Sequence, residues 1–265
     1  MEFQQIRGAT VKITYGSGIF LVDPFFAAKD EYPPLEAGPF PDKRWPTVNL
    51  PMSIEEIISG IDAIIVTHLH PDHLDEFAVK ALPKDIPLFV QDETDATVIR
   101  QYGFEDVRIL SYSGTKFGNI TMCRIDGLHG HPETTQKYYD AGNLRETASG
   151  IVFEADNEKT FYLVGDTIWY EKVDEAIKKY RPEIIAVNGA DAQFADSGSI
   201  IMGLDDILQV CKAAPEAKII VTHLDAVPHA LVGRKEVNEL IVQHKLFEQI
   251  VVPDDGEVCH FEGKE

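Results

Sequence analysis

Residues 61–75 constrain this chain more than any other stretch. The run Ile61-Asp62-Ala63-Ile64-Ile65-Val66 is apolar and rich in β-branched side chains, the composition of a buried strand. It leads into Thr67-His68-Leu69-His70-Pro71-Asp72-His73-Leu74-Asp75, which places three imidazoles and two carboxylates within nine residues. Beyond it Leu74, Phe77, Ala78, Ala81 and Leu82 fall on one helical face. A strand-to-helix turn held at both ends can project His68 and His70 together and turn Asp72 and His73 towards a second position. A lone histidine at a strand end is usually a hydrogen-bonded structural group. Four donors at this spacing point instead to a metal site.

The remaining elements alternate around that turn. Residues 9–23 form an expected hairpin through Gly16-Ser17-Gly18, ending in Asp23 before Pro24, where a simple turn is the competing reading. From Pro24 to Met52 periodicity is lost, and seven of the fifteen prolines lie there with Phe25, Phe26, Tyr32, Phe40 and Trp45. A loop of this length is either a lid over a site or a proline-stiffened segment packed on the core. Ser53 and Glu56 form a capping pattern for a short helix. Strands are expected at 86–90 and 107–110 with a helix at 94–102 between them, which indicates α/β layering.

Further along, a hairpin over 116–125 delivers the chain to Gly127-Leu128-His129-Gly130-His131. One of these histidines suits a metal, the other substrate or solvent. Residues 132–147 read as a polar loop whose Arg145 could meet an anionic group. Two strands at 150–154 and 160–164 lead to Gly165-Asp166-Thr167, where Asp166 is placed to bridge two cations. Helices at 173–180, 204–214 and 237–244 alternate with strands at 184–187 and 218–222. The hexapeptide Ile-Ile-Val-Thr-His-Leu occurs at 64–69 and again at 219–224, suggesting two equivalent βα halves facing a common site.

Composition narrows the function. At 265 residues, with no polar linker, one domain spanning 1–265 is expected. The 24 basic against 44 acidic residues, net −20, disfavour a nucleic-acid partner. Cys123, Cys211 and Cys259 are isolated and suggest neither a disulfide framework nor a thiolate metal site. No signal segment or run near the ~18 apolar residues of a membrane helix is visible, so a cytoplasmic protein with a small-molecule substrate, no membrane partner and room for homo-oligomers is expected.

The ordered motifs resemble the metallo-β-lactamase-fold superfamily over nearly the whole chain: His68, His70, Asp72 and His73 as H-x-H-x-D-H, then His129, Asp166 and His223. That resemblance implies an αβ/βα sandwich. It implies one metal held by His68, His70 and His129 and another by Asp72, His73 and His223, with Asp166 spanning both and Asp23 supporting the ligands from behind. Runs such as Gly-Asp-Thr-Ile-Trp, Asn188-Gly189-Ala190 and Pro253-Asp254-Asp255-Gly256-Glu257 are similar to proteins grouped with the ascorbate-6-phosphate lactonases, although their substrate does not carry over.

The expected activity is binuclear metal-dependent hydrolysis of a small ester, lactone or phosphoester by a metal-bridged hydroxide. A phosphodiesterase or nuclease, or a metal-loaded binding module, is the alternative. Imidazole and carboxylate ligands suit zinc first, with manganese or iron also compatible. Asp72 and His229 are the candidate catalytic residues. His131, Arg145 and Trp45 are the candidate substrate contacts, within a lid at 24–52 and an active-site loop at 129–149.

Overall fold

The computed structural model describes residues 1–264. In its first half come β1 (Glu2–Arg7), β2 (Thr10–Tyr15), β3 (Gly18–Val22), α1 (Ile54–Ile58), β4 (Ala63–Val66), α2 (Glu76–Ala81), β5 (Leu88–Val90), α3 (Glu93–Gln101) and β6 (Val107–Ile109). The second half contains β7 (Thr115–Phe117), β8 (Ile120–Leu128), α4 (Pro132–Gly142), β9 (Thr147–Glu154), β10 (Phe161–Leu163), α5 (Glu171–Tyr180) and β11 (Ile184–Asn188). It continues through the short strands β12 (Gln193–Phe194) and β13 (Gly198–Ser199) to α6 (Leu204–Ala213), β14 (Lys218–Thr222), α7 (Arg234–His244), β15 (Ile250–Val251) and β16 (Val258–His260).

Two seven-stranded sheets result, ordered β16-β1-β2-β3-β4-β5-β6 and β15-β14-β11-β10-β9-β8-β7. Their facing sides share a core of Phe3, Ile13, Phe20, Ile65, Phe89, Phe153, Phe161 and Ile220. The outer face of the first sheet packs on helices α1 to α3 through Leu21, Ile64, Val66, Ala78 and Ile99. That of the second packs on α5 to α7 through Val187, Ile219, Val221, Ile207 and Val237. This is the four-layered αβ/βα sandwich expected. The alternation is strict within β4, where Ile64 and Val66 face helices while Ile65 faces the opposite sheet. A strand covered on both sides must be apolar throughout, which is why 61–66 reads as it does.

Each sheet begins with antiparallel strands and ends with three parallel pairings. These are β3–β4, β4–β5 and β5–β6 in one sheet, and β10–β11, β11–β14 and β14–β15 in the other. The two halves anticipated from the repeated hexapeptide therefore exist, but the hexapeptide does not mark their equivalence. Counted from the parallel edge, β4 is third and β14 second. By pairing pattern the counterpart of β3 is β10, and these two strands are followed by Asp23 and Asp166 respectively.

The stretch 132–147 differs from expectation, since residues 132–142 are helical. Pro132 opens α4 at a position where its missing N–H costs nothing, and Asn143 closes it in the left-handed conformation. Its buried residues are Thr135 and Tyr139, one turn apart. The face lacks aliphatic side chains, so no hydrophobic period announces it.

Candidate metal centre

Every residue of the centre follows the carboxyl end of a strand. Asp23 lies after β3, Thr67 and His68 after β4, His129 after β8, Asp166 after β10 and His223 after β14. Clefts outside these strand ends are where open α/β sheets place ligands. The Gly165 turn is needed to aim Asp166: its φ is +72°, and a Cβ there would lie 2.5 Å from the Ser149 carbonyl oxygen. Asp23 and His223 themselves hold φ of 48° and 62°, a strained conformation that concentrates at functional sites.

All seven expected ligands converge. Ligand atoms of His68, His70 and His129 lie within 4.8 Å of one another, as do those of Asp72, His73 and His223 and those of His68, His73 and Asp166. Asp166 reaches both groups, with Oδ2 at 3.5 Å from His129 Nε2 and 3.1 Å from His73 Nε2, and Oδ1 at 3.8 Å from His223 Nε2. Asn188 donates to Asp166 Oδ1 at 2.5 Å. Apart from Asp72 these candidate ligands are buried.

Hydrogen bonds decide which ring nitrogens face inward. His129 Nδ1 donates to the Ile200 carbonyl at 2.8 Å, and His70 Nε2 donates to the Arg145 carbonyl at 2.7 Å. A carbonyl only accepts, so the other nitrogens, His129 Nε2 and His70 Nδ1, both present lone pairs. They lie 3.2 Å apart. Two lone pairs at that distance repel unless a cation is shared between them. Asp23 Oδ2 accepts from His73 Nδ1 and from Thr67 Oγ1, each at 2.8 Å. Thr67 Oγ1, having donated to Asp23, accepts from His68 Nδ1 at 3.1 Å. His68 Nε2 is then a buried nitrogen with no hydrogen-bond partner in the protein. The donor set thus fits divalent cations by orientation as well as by residue type.

The protonation balance agrees. Burial pushes His68, His70 and His129 below the ordinary histidine pKa, His70 to about 3. Burial acts the same way on His73, but Asp166, Asp23 and Asp72 together hold it well above that range. His223 is likewise raised against its burial, by Asp166 and Asp72. Burial would lift the carboxyl of Asp166, yet His73 and His223 keep it well below the usual value. Asp72 is lowered in the same way by His73 and His223.

A cavity of about 100 Å³ adjoins the cluster, bounded by Leu35, Trp45, Leu144, Phe194, Ile200 and His229 among others. Trp45 is one wall of this cavity and leans on Tyr32 with ring centroids 4.7 Å apart. His229 also faces the cavity, stacked on Phe194 at 5.9 Å, with Nδ1 unpartnered and burial holding its pKa down at about 4. His131 is not among the residues that line the cavity: it is the exposed, extended residue preceding α4. Arg145 also departs from expectation, because its guanidinium is paired with Asp92 and Asp95 and only its main chain meets the site.

Thr67 and Asn188 are not marked as functional by the sequence, and Tyr139, which as a polar residue of 132–147 suited an anionic substrate group, is not among the residues lining the cavity. Tyr139 stands behind His70 and His129 and donates to the His129 carbonyl at 2.6 Å. Thr67 and Asn188 could be suspected only as polar residues ending apolar strands, and nothing in the sequence directs Tyr139 to the back of the two histidines.

A sandwich of two such sheets with a histidine–aspartate cluster at one edge defines a class of protein, and comparison with known families agrees with it. The family model described as Beta-lactamase superfamily domain matches residues 20–224, and the chain belongs to that family. It is 42% identical to the UPF0173 protein YddR of Bacillus subtilis (strain 168) over 98% of this chain and 100% of that protein. Among solved structures, a "possible metal-dependent hydrolase" from Veillonella parvula DSM 2008 superposes with TM-score 0.94 at 39% identity, covering 98% of this chain and 99% of that one. An isothiocyanate hydrolase from Delia radicum gut bacteria superposes with TM-score 0.93 at 36% identity, covering 99% and 100%.

Proposed function

We propose that this protein is a metal-dependent hydrolase of small, uncharged substrates, working with two divalent cations. His68, His70 and His129 would hold one, Asp72, His73 and His223 the other, and Asp166 both. The observation that carries this reading is the pair of facing lone pairs on His70 and His129, each fixed by a carbonyl behind it. Imidazole and carboxylate ligands suit zinc, with manganese and iron compatible. When bound, such cations lower the pKa of a shared water and polarise the bond under attack.

The chain's own residues do the rest. Leu35, Trp45, Leu144, Phe194 and Ile200 offer apolar walls that hold the unreactive part of a substrate and exclude bulk water. His229, neutral at physiological pH, offers a hydrogen bond to the leaving heteroatom rather than acting as an imidazolium acid.

No lysine or arginine lines the cavity among the described residues, and this favours an ester or lactone over a phosphoester. The isothiocyanate hydrolase at 36% identity supports the same choice, since an isothiocyanate is a small uncharged carbon electrophile. Helices are uninformative about membranes beyond one point: no helix of the described residues is long and apolar enough to cross one.

The test is metal analysis of the purified protein beside a panel of aryl esters, lactones, isothiocyanates and bis(nitrophenyl) phosphate. Bound metal with turnover of the neutral compounds alone is expected. Full turnover by metal-stripped protein would sink the metal-dependent reading; turnover of the phosphodiester alone would sink the substrate class. Bound metal without activity on any compound would favour a binding module.

A further inference from the structure

We propose that Arg145 is a positioning residue for His70: clamped by its side chain at the start of α3, it sets the main-chain carbonyl that fixes which His70 nitrogen faces the metal site. The proposal rests on the reading of the site as one that holds metal.

The stretch 143–146 joins α4 to β9 across the rim of the cavity. Its entry is pinned, because Asn143 adopts φ 51° and the Leu144 amide donates to the Tyr139 carbonyl at 2.8 Å. Its exit is pinned where Gln91 Nε2 donates to the Thr147 carbonyl at 3.1 Å. Between these points Leu144 lines the cavity and the Arg145 carbonyl accepts from His70 Nε2 at 2.7 Å. What holds the middle is the guanidinium. It meets Asp92 through two parallel bonds, Nη1 to Oδ1 at 3.1 Å and Nη2 to Oδ2 at 2.8 Å, and it also pairs with Asp95.

Both carboxylates are themselves fixed. Asp92 caps α3 by accepting from the Thr94 and Asp95 amides at 3.0 and 3.1 Å. Asp95 is buried and accepts from Gln91 Nε2 at 2.8 Å. A planar fork that engages two anchored carboxylates transmits the position of a rigid helix end to the carbonyl of its own residue. Were that carbonyl to swing away, His70 would lose the acceptor that keeps the proton on Nε2, and Nδ1 would no longer be held as the ligand atom. Compensation of buried Asp95 alone would give Arg145 a purely structural role. The two roles differ in what they do to metal affinity.

Wild type, Arg145→Ala, Arg145→Lys and Asp92→Asn are stripped of metal and titrated with Zn²⁺ against a chromophoric chelator, with thermal melting of the stripped proteins alongside. Wild type takes up zinc in two steps. In Arg145→Ala one step, that of the His68, His70 and His129 group, weakens by about tenfold to hundredfold while the other holds. Arg145→Lys recovers part of the loss, since one ammonium cannot reproduce the fork, and Asp92→Asn gives an intermediate loss that carries the test if Arg145→Ala does not fold. Unchanged affinities in Arg145→Ala and Asp92→Asn overturn the proposal alone. So does a uniform weakening of both steps that tracks a lower melting temperature. A wild type that takes up no zinc overturns the metal-holding reading and this one with it.

Discussion

Replacing Asp23 by asparagine separates folding from metal binding at this centre. The backbone there has φ 48°, which asparagine tolerates, and Asn Oδ1 can still accept from the Thr67 amide, now 2.8 Å from Asp23 Oδ1. The change falls on the other oxygen. Asp23 Oδ2 accepts from both His73 Nδ1 and Thr67 Oγ1, whereas an asparagine NH₂ in its place can only donate, so the His73 imidazole must turn Nδ1 into an acceptor and carry its proton on Nε2, and Thr67 must turn its hydroxyl proton towards His68 Nδ1. Without metal this is tolerable, because Nε2–H finds Asp166 Oδ2 at 3.1 Å. With metal it is not, for His73 must then free Nε2 and set two buried donors against each other, at a cost of about 1–3 kcal/mol. At about 1.4 kcal/mol per decade this corresponds to roughly five- to hundredfold in affinity. That overlaps the roughly ten- to hundredfold effect of removing partners of metal-bound histidines elsewhere. Chelator competition with Zn²⁺ reads the affinity, and melting of the stripped proteins reads the fold. The reasoning fails if Asp23→Asn binds zinc as tightly as wild type, or if its stripped form melts so early that the loss is one of folding.

Phe153, packed on Tyr15, Phe20 and Phe161 between the sheets, should cost about 3–5 kcal/mol when cut to alanine, visible as a lower urea midpoint. Gly165→Ala should abolish zinc uptake more completely than it lowers the melting temperature, because the clash with the Ser149 carbonyl displaces Asp166; normal zinc affinity would contradict this. His229 has a folded pKa depressed to about 4, so the folded protein binds fewer protons than the unfolded chain between that value and about 6.5. Its contribution is present above pH 6.5 and lost as the pH falls towards 4, with a slope of at most about 1.4 kcal/mol per pH unit. His229→Gln should flatten the acid side of the stability curve of stripped protein, and an unchanged curve would refute the neutral assignment. Removal of metal by a chelator should lower the melting temperature reversibly, since anything bound only by the folded state stabilises it; an identical melt with and without zinc would count against the site.

The sheets and the convergence of the histidine–aspartate cluster were legible in the sequence for related reasons. A strand buried on both faces has to be continuously apolar, and where such a strand ends at a polar residue the polar group must have a purpose. Val66 giving way to Thr67-His68, Val164 to Gly165-Asp166 and Val221 to Thr222-His223 are three instances, and together with His129 at the end of β8 they make up the centre. The cavity is a different matter. Leu35, Leu144 and Phe194 come from three separate stretches outside the two-sheet core, and an apolar side chain there carries no mark of the surface it will cover. Arg145 failed as a substrate contact for the same cause: charge in a polar stretch says nothing about its partner, and here two anchored aspartates had the prior claim.

The repeated hexapeptide shows where sequence likeness and structural equivalence part. Thr67 is held by a carboxylate, Asp23, at the end of the adjacent strand β3. Thr222 is held by Gln5 and the Gly8 carbonyl from the turn after β1. Both arrangements fix a histidine on the following residue, so the same six residues suit two different neighbourhoods. Equivalence by strand pairing instead relates Asp23 to Asp166, one carboxylate behind the ligands and one among them. The chemistry is therefore asymmetric across two similar halves. Exchanging the roles of these aspartates would require moving a negative charge from the space between the two donor groups to the back of His73, where Asp166 could no longer touch both.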